Sequence, residues 1–113
     1  MSDHIKVTAA PGSYQIRAGD VVLGTTAQAL NMAEGSYPPV LYIPRSDVAM
    51  TMLRKTARQT VCPHKGACSY YSVHTTNDVL ENAVWSYETP KAGMEHIAGY
   101  LAFYPNKITV EAV

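Results

Sequence analysis

A mainly β, single-domain fold of small antiparallel sheets is predicted by three features of the chain. Turn residues recur at short intervals, and β-type segments fill the stretches between them. The chain has 113 residues, enough for one domain (1–113) and not for two. Hydrophobic residues make up 47% and charged residues 16%, which suits a globular core and is too apolar for a disordered segment.

The elements follow in order. Tyr14 to Ala18 alternates, Gly19-Asp20 turns, and Val21-Val22-Leu23 returns, because glycine tolerates the positive φ of a two-residue hairpin loop. Ala27 to Glu34 lacks strong β-formers yet lies between strands, and is read as a strand. Pro38, Pro39 and Pro44 confine Val40-Leu41-Tyr42 to an edge or a bend, since proline cannot donate to a ladder. One short helix is expected near residues 48–54. The Asp47 carboxylate is placed to cap it, Val48 and Met52, and Met50 and Leu53, fall at helical spacings, and Arg54 and Lys55 suit its end. Ser69 to Thr75 and Val79 to Tyr87 read as a second hairpin across Asn77-Asp78, and Ala98 to Tyr104 with Ile108 to Glu111 as a third. Lys91 to His96 is a loop or a single helical turn.

The zero net charge gives no general pull toward nucleic acid or an anionic membrane, and neither is expected as a partner. No apolar run approaches the ~20 residues that span a bilayer. The N-terminus, Met1 to Lys6, has no apolar segment after a basic start, so a cytoplasmic location is expected. Cys62 and Cys68 are too few for a disulfide scaffold and lack Cys-x-x-Cys spacing, so both are read as reduced thiols. His4, His64, His74 and His96 show no metal-ligand spacing, and no metal or other cofactor is expected.

Charge is uneven within the neutral total. Between Arg45 and Lys65 lie five cations, Arg45, Arg54, Lys55, Arg58 and Lys65, against the single acid Asp47. Folded around one pocket, they suit a phosphate or carboxylate; as alternating outward side chains, they are a solvated surface. Cys62-Pro63-His64-Lys65-Gly66 offers a thiol beside two basic groups, an arrangement that lowers a thiol pKa; the plainer alternative is a buried cysteine ending a strand before a turn. Tyr70, Trp85 and Tyr87 can line a cleft or pack a core, with Trp85 and Tyr87 on one face of a strand. Tyr42, Tyr100 and Tyr104 extend the aromatic set.

Tyr42 to Val48, Thr60 to Gly66, Tyr70-Tyr71, Trp85-Ser86-Tyr87 with Pro90, and Gly99 to Tyr104 carry a joint pattern in fixed order. In these stretches the chain resembles the family called domain of unknown function 427, from about Val21 onward. The resemblance implies a β-rich fold similar to the β-tent group. Many members of that group bind zinc through two pairs of cysteines, which this chain lacks. The family also carries a nucleotidyltransferase-like label. Nucleotidyl transfer uses divalent cations held by close carboxylates, and the chain has no Asp-x-Asp or Asp-x-Glu pair. Cys68 stands where the family pattern leads one to expect a small residue.

The leading expectation is therefore a small β domain that binds a small polar or anionic ligand through Arg45, Asp47, Cys62, Lys65, Tyr70, Trp85 and Tyr87. Cys62, Lys65 and Asp47 are the residues that could serve catalysis. A protein-interaction module using proline-flanked edges is the alternative. The two separate on whether these side chains meet at one cavity.

Overall fold

The computed structural model describes residues 4–113. Met1 to Asp3, the first part of the N-terminal stretch read above for a signal, lies outside them. In chain order the strands are β1 (Ile5–Ala9), β2 (Tyr14–Ala18), β3 (Val21–Thr26), β4 (Leu30–Glu34), β5 (Val40–Tyr42), β6 (Leu53–Cys62), β7 (Gly66–His74), β8 (Val79–Ser86), β9 (Ala102–Phe103) and β10 (Thr109–Ala112). They form three antiparallel sheets, ordered β1-β4-β5, β10-β2-β3 and β6-β7-β8-β9. The protein is mainly β, as its recurring turns and the β-type segments between them lead one to expect.

Local chemistry accounts for two of the three expected hairpins. Gly19, at φ +60°, closes β2 onto β3. β7 and β8 pair from His74 with Val79 back to Ser69 with Ser86. The third expected hairpin does not form. The chain turns at Tyr104, where the Ile108 amide donates to the Tyr104 carbonyl (2.9 Å). Ile108 then inserts into the core, and β10 pairs with β2. This satisfies the otherwise open edge of β2, and Arg17 pairs with Glu111 at 2.8 Å across the new ladder.

The helix expected near 48–54 is reduced to one 3₁₀ turn, Met50–Met52, preceded by another at Arg45–Asp47. Asp47 caps neither; its Oδ2 accepts from the Thr26 hydroxyl (2.7 Å). From Leu53 onward, pairing with β7 draws Arg54 and Lys55 into a ten-residue strand, and tertiary pairing overrides a weak helical pattern. The first 3₁₀ turn lies so close to β3 that a Cβ on Gly24 would sit 2.0 Å from the Asp47 carbonyl oxygen. Lys91 to His96 ends in a 3₁₀ turn, Glu95–Ile97.

β7 divides two cores. Its side chains alternate, so Tyr71 and Val73 pack with Ile16, Leu23, Val84 and Leu101, while Cys68 and Tyr70 pack with Met32, Tyr42, Tyr87 and Ile97 on the opposite face. The radius of gyration is 13.6 Å, close to the roughly 13 Å expected of a compact chain near this length. Among the described residues no helix is long and apolar enough to cross a membrane.

Candidate functional site

The second core does not close completely. It leaves a cavity of about 210 Å³ between β4, β5, β7 and β8, walled by Tyr42, Tyr70, Tyr87, Tyr104 and Trp85. Antiparallel register creates this wall: Tyr70 faces Trp85 directly across β7 and β8, and Tyr87 follows two positions on. The Trp85 indole donates from Nε1 to the Tyr42 hydroxyl (3.2 Å), which leaves the Tyr42 O–H free to donate in turn. Trp85 also stacks at a tilt on Tyr104, with centroids 4.6 Å apart. Tyr70 shares a 2.8 Å hydrogen bond with Thr60.

Lys65 enters the cavity from the turn between β6 and β7. It is only 9% exposed. Its Nζ donates to Glu34 Oε1 at 2.6 Å and lies 5.7 Å from the centre of the Tyr87 ring. Among the described residues Glu34 is its only hydrogen-bond acceptor, so the ammonium keeps donors to spare. Gly66 makes the tight approach possible, at φ +109° with the Lys91 amide 3.3 Å from where a Cβ would stand. His4 lies 3.7 Å from the other Glu34 oxygen and packs edge-on to His64.

These surroundings fix the protonation of the lining. The hydrogen bond from Lys65 holds the Glu34 carboxyl below its ordinary value, reinforced by the charges of Lys65, His4 and His64 against the opposing effect of burial. Burial pushes Tyr42, Tyr87 and Tyr104 upward, and burial likewise raises the Cys68 thiol. At neutral pH the cavity therefore presents phenol and thiol protons beside one ammonium–carboxylate pair.

Of the residues singled out from the sequence, Lys65, Tyr70, Trp85 and Tyr87 meet at this cavity. Cys62 is half-buried and packs against the same core, outside the lining. Arg45 lies on the opposite face of β7–β8. Its guanidinium donates to the Gly99 carbonyl (3.0 Å), the Tyr71 hydroxyl (3.1 Å), Ser86 Oγ (3.3 Å) and Glu88 Oε2 (3.1 Å). Tyr71 donates to the same Glu88 oxygen, and Lys55 pairs with the other at 2.7 Å. This network clamps the 3₁₀ turn to the sheet and engages four of the five N–H donors of Arg45. Asp47 is likewise engaged, by Thr26, and forms no ion pair with Arg45 among the described contacts. Sequence reasoning left Glu34 and Cys68 out of the ligand set. Glu34 shares its strand face with Met32, and Cys68 shares one with Tyr70, so strand parity is the signal that points to both.

The profile of the family described as Domain of unknown function (DUF427) matches residues 6–113. The chain is a DUF427 domain. No curated protein matches it. The family's label is that of a nucleotidyltransferase, and three carboxylates of this DUF427 domain already accept from protein donors. Glu34 is held by Lys65, Glu88 by Lys55, Arg45 and Tyr71, and Asp47 by Thr26. The zinc of the β-tent group does not fit, since Cys62 and Cys68 lack a second pair and Cys68 is buried against tyrosines. Among the described residues no three His, Cys, Asp or Glu side chains are grouped to hold a metal ion.

Proposed function

We propose that this DUF427 domain binds a small polar molecule with a planar body in the cavity at Lys65. One observation carries the reading: a buried ammonium with unused donors faces a cavity walled by aromatic rings. A buried charge is costly unless its hydrogen bonds are completed. Glu34 completes part of the requirement, and an acceptor on a ligand completes more.

Size and chemistry narrow the ligand. A cavity of roughly 150 Å³ holds benzene, so 210 Å³ accommodates one substituted ring. Tyr42, protonated and accepting from Trp85, keeps its O–H to donate to a ring substituent, while Trp85 and Tyr104 supply stacking surfaces. Lys65 and Glu34 balance each other in charge, so the cavity favours a carbonyl, an amide or a single carboxylate over a polyphosphate.

Trp85 is the only tryptophan of the chain and stands in the cavity wall, so its emission reports occupancy. Titration with a panel of ring amides, ring carboxylates, nucleosides and sugar phosphates should give saturable changes for ring compounds. Lys65→Met should weaken that response by roughly tenfold, the worth of one charge-assisted hydrogen bond. A panel that leaves Trp85 unmoved and melting unchanged counts against the reading.

A second reading has its own observation. The cavity opens past Trp85 and Val40 into an apolar groove of about 550 Å³ formed by Leu41, Phe103, Ile108 and Val110. This groove suits an apolar partner segment laid beside β5, and a silent small-molecule panel would favour it.

A further inference from the structure

A second groove, of about 400 Å³, shares Tyr104 with the aromatic cavity. Arg58, Asn82, Asn106 and Lys107 line it, with Glu81 as its acid. Two facing irregularities in the sheet create it. Between Lys55 and Gln59, β6 runs four positions while β7 runs two, and between Leu80 and Val84, β8 does the same against Val73 and Tyr71. β7 is thus flanked at one level by two bulged strands. The Thr56 hydroxyl joins them by donating to Asn82 Oδ1 (2.6 Å), and the Asn82 backbone N–H donates to Ser72 Oγ (3.0 Å).

Three features distinguish the groove. Asn82, at φ +49°, is the one non-glycine residue with positive φ among those described. Bulges and such backbone conformations gather where a side chain must be re-aimed. Arg17, Arg45 and Arg54 each donate to protein acceptors, whereas the Arg58 guanidinium has no acceptor among the described residues. It lies over the Tyr70 ring, its carbon 4.8 Å from the ring centroid, with its fork left open. The Asn82 side-chain N–H₂ also has no acceptor there, and Lys107, which donates to the Glu81 carbonyl (2.7 Å), holds a further charge beside it.

We propose that the paired bulge is an oxyanion site, with Arg58 as its bidentate donor, Asn82 as a second donor, and a phosphate or carboxylate as ligand. It deepens the preceding reading. Tyr70 carries Arg58 on its face and lines the cavity, and Tyr104 borders both spaces, so one ligand can place a ring at Trp85 and an anionic group at Arg58.

The test uses the isotope-labelled full chain at constant ionic strength, with inorganic phosphate, phenyl phosphate and chloride as probes. Phosphate should saturably shift the Arg58 Nε–H and Asn82 side-chain resonances. Arg58→Gln should weaken that binding by roughly tenfold or more, and Arg58→Lys by less. Phenyl phosphate should bind more tightly than phosphate and also change Trp85 emission, which marks the anion as part of an organic ligand. Chloride shifts equal to those of phosphate, or unchanged phosphate binding in Arg58→Gln, would overturn the site. Phosphate bound at Arg58 with Trp85 silent to every ring compound upholds the oxyanion site and refutes the cavity. A Trp85 response that persists in Arg58→Gln, with no phosphate shift in either protein, does the reverse.

Discussion

Replacing Lys65 by methionine separates charge from packing at the cavity, because methionine keeps most of the apolar stem and removes the ammonium. The lost contact is a 2.6 Å charge-assisted bond between side chains 11% and 23% exposed. Breaking a fully buried pair costs about 3–5 kcal/mol. Glu34 retains some water, so the loss here should be about 2 kcal/mol at neutral pH, or roughly 8 °C in melting temperature. The pH dependence gives the sharper test. Glu34 has its carboxyl lowered in the folded protein from an ordinary 4.5, so its stabilisation is complete above that value. It is lost as pH falls through the lower folded value. In Lys65→Met the carboxylate has no ammonium to depress it, and protonation relieves its burial. The stability gap should therefore shrink from about 2 kcal/mol near neutrality to nearly zero once the pH lies below the lowered value of Glu34 in the folded protein. Urea unfolding of both proteins across that range measures it. A gap that stays constant with pH would show that Lys65 acts through packing alone and refute the charge argument.

Two further outcomes follow from the packing. Gly24→Ala places a methyl 2.0 Å from the Asp47 carbonyl oxygen, and the 2.8 Å bond from the Ala49 amide to the Leu23 carbonyl must yield with it. Urea denaturation should show a loss of about 3 kcal/mol, and a loss under about 1 kcal/mol would mean that the turn gives way freely. Cys62 is half-buried, whereas Cys68 is buried and has its thiol raised by burial. An alkylating reagent should label Cys62 in the native protein and Cys68 only as fast as the chain unfolds. Mass spectrometry of the fragments distinguishes them, and equal native rates would contradict the buried placement.

The elements that depend on neighbours in sequence were legible, and those that depend on distant partners were not. Gly19-Asp20 and Asn77-Asp78 carry their hairpins in local turn chemistry. The pairing of β10 with β2 joins the two ends of the chain, and no residue between Tyr104 and Ile108 encodes it. Arg45 illustrates the same limit at the site. It falls in a dense basic segment with Lys65, yet the two serve opposite faces of one sheet. Adjacent residues show why: Tyr70 faces the cavity and Tyr71 faces Arg45, as Trp85 and Ser86 do one strand over. Parity along β7 and β8 was readable, but which face Arg45 would meet depended on a 3₁₀ turn packing against β3.

In the proposed binding site, the groups with shifted titration suit recognition better than proton transfer. A general acid or base works best when its pKa lies near the working pH. Here Glu34 is pushed down by the bond from Lys65, while burial pushes Tyr42, Tyr87 and Cys68 up. Every one of these shifts moves the group away from neutrality and fixes its charge. The result is a constant pattern of donors around one ion pair, which does not change when the pH moves by a unit around neutrality. A ligand that matches this pattern is held by geometry, and its affinity should stay level across that interval. An affinity that instead follows a titration near neutrality would point to a group outside the set and refute the argument.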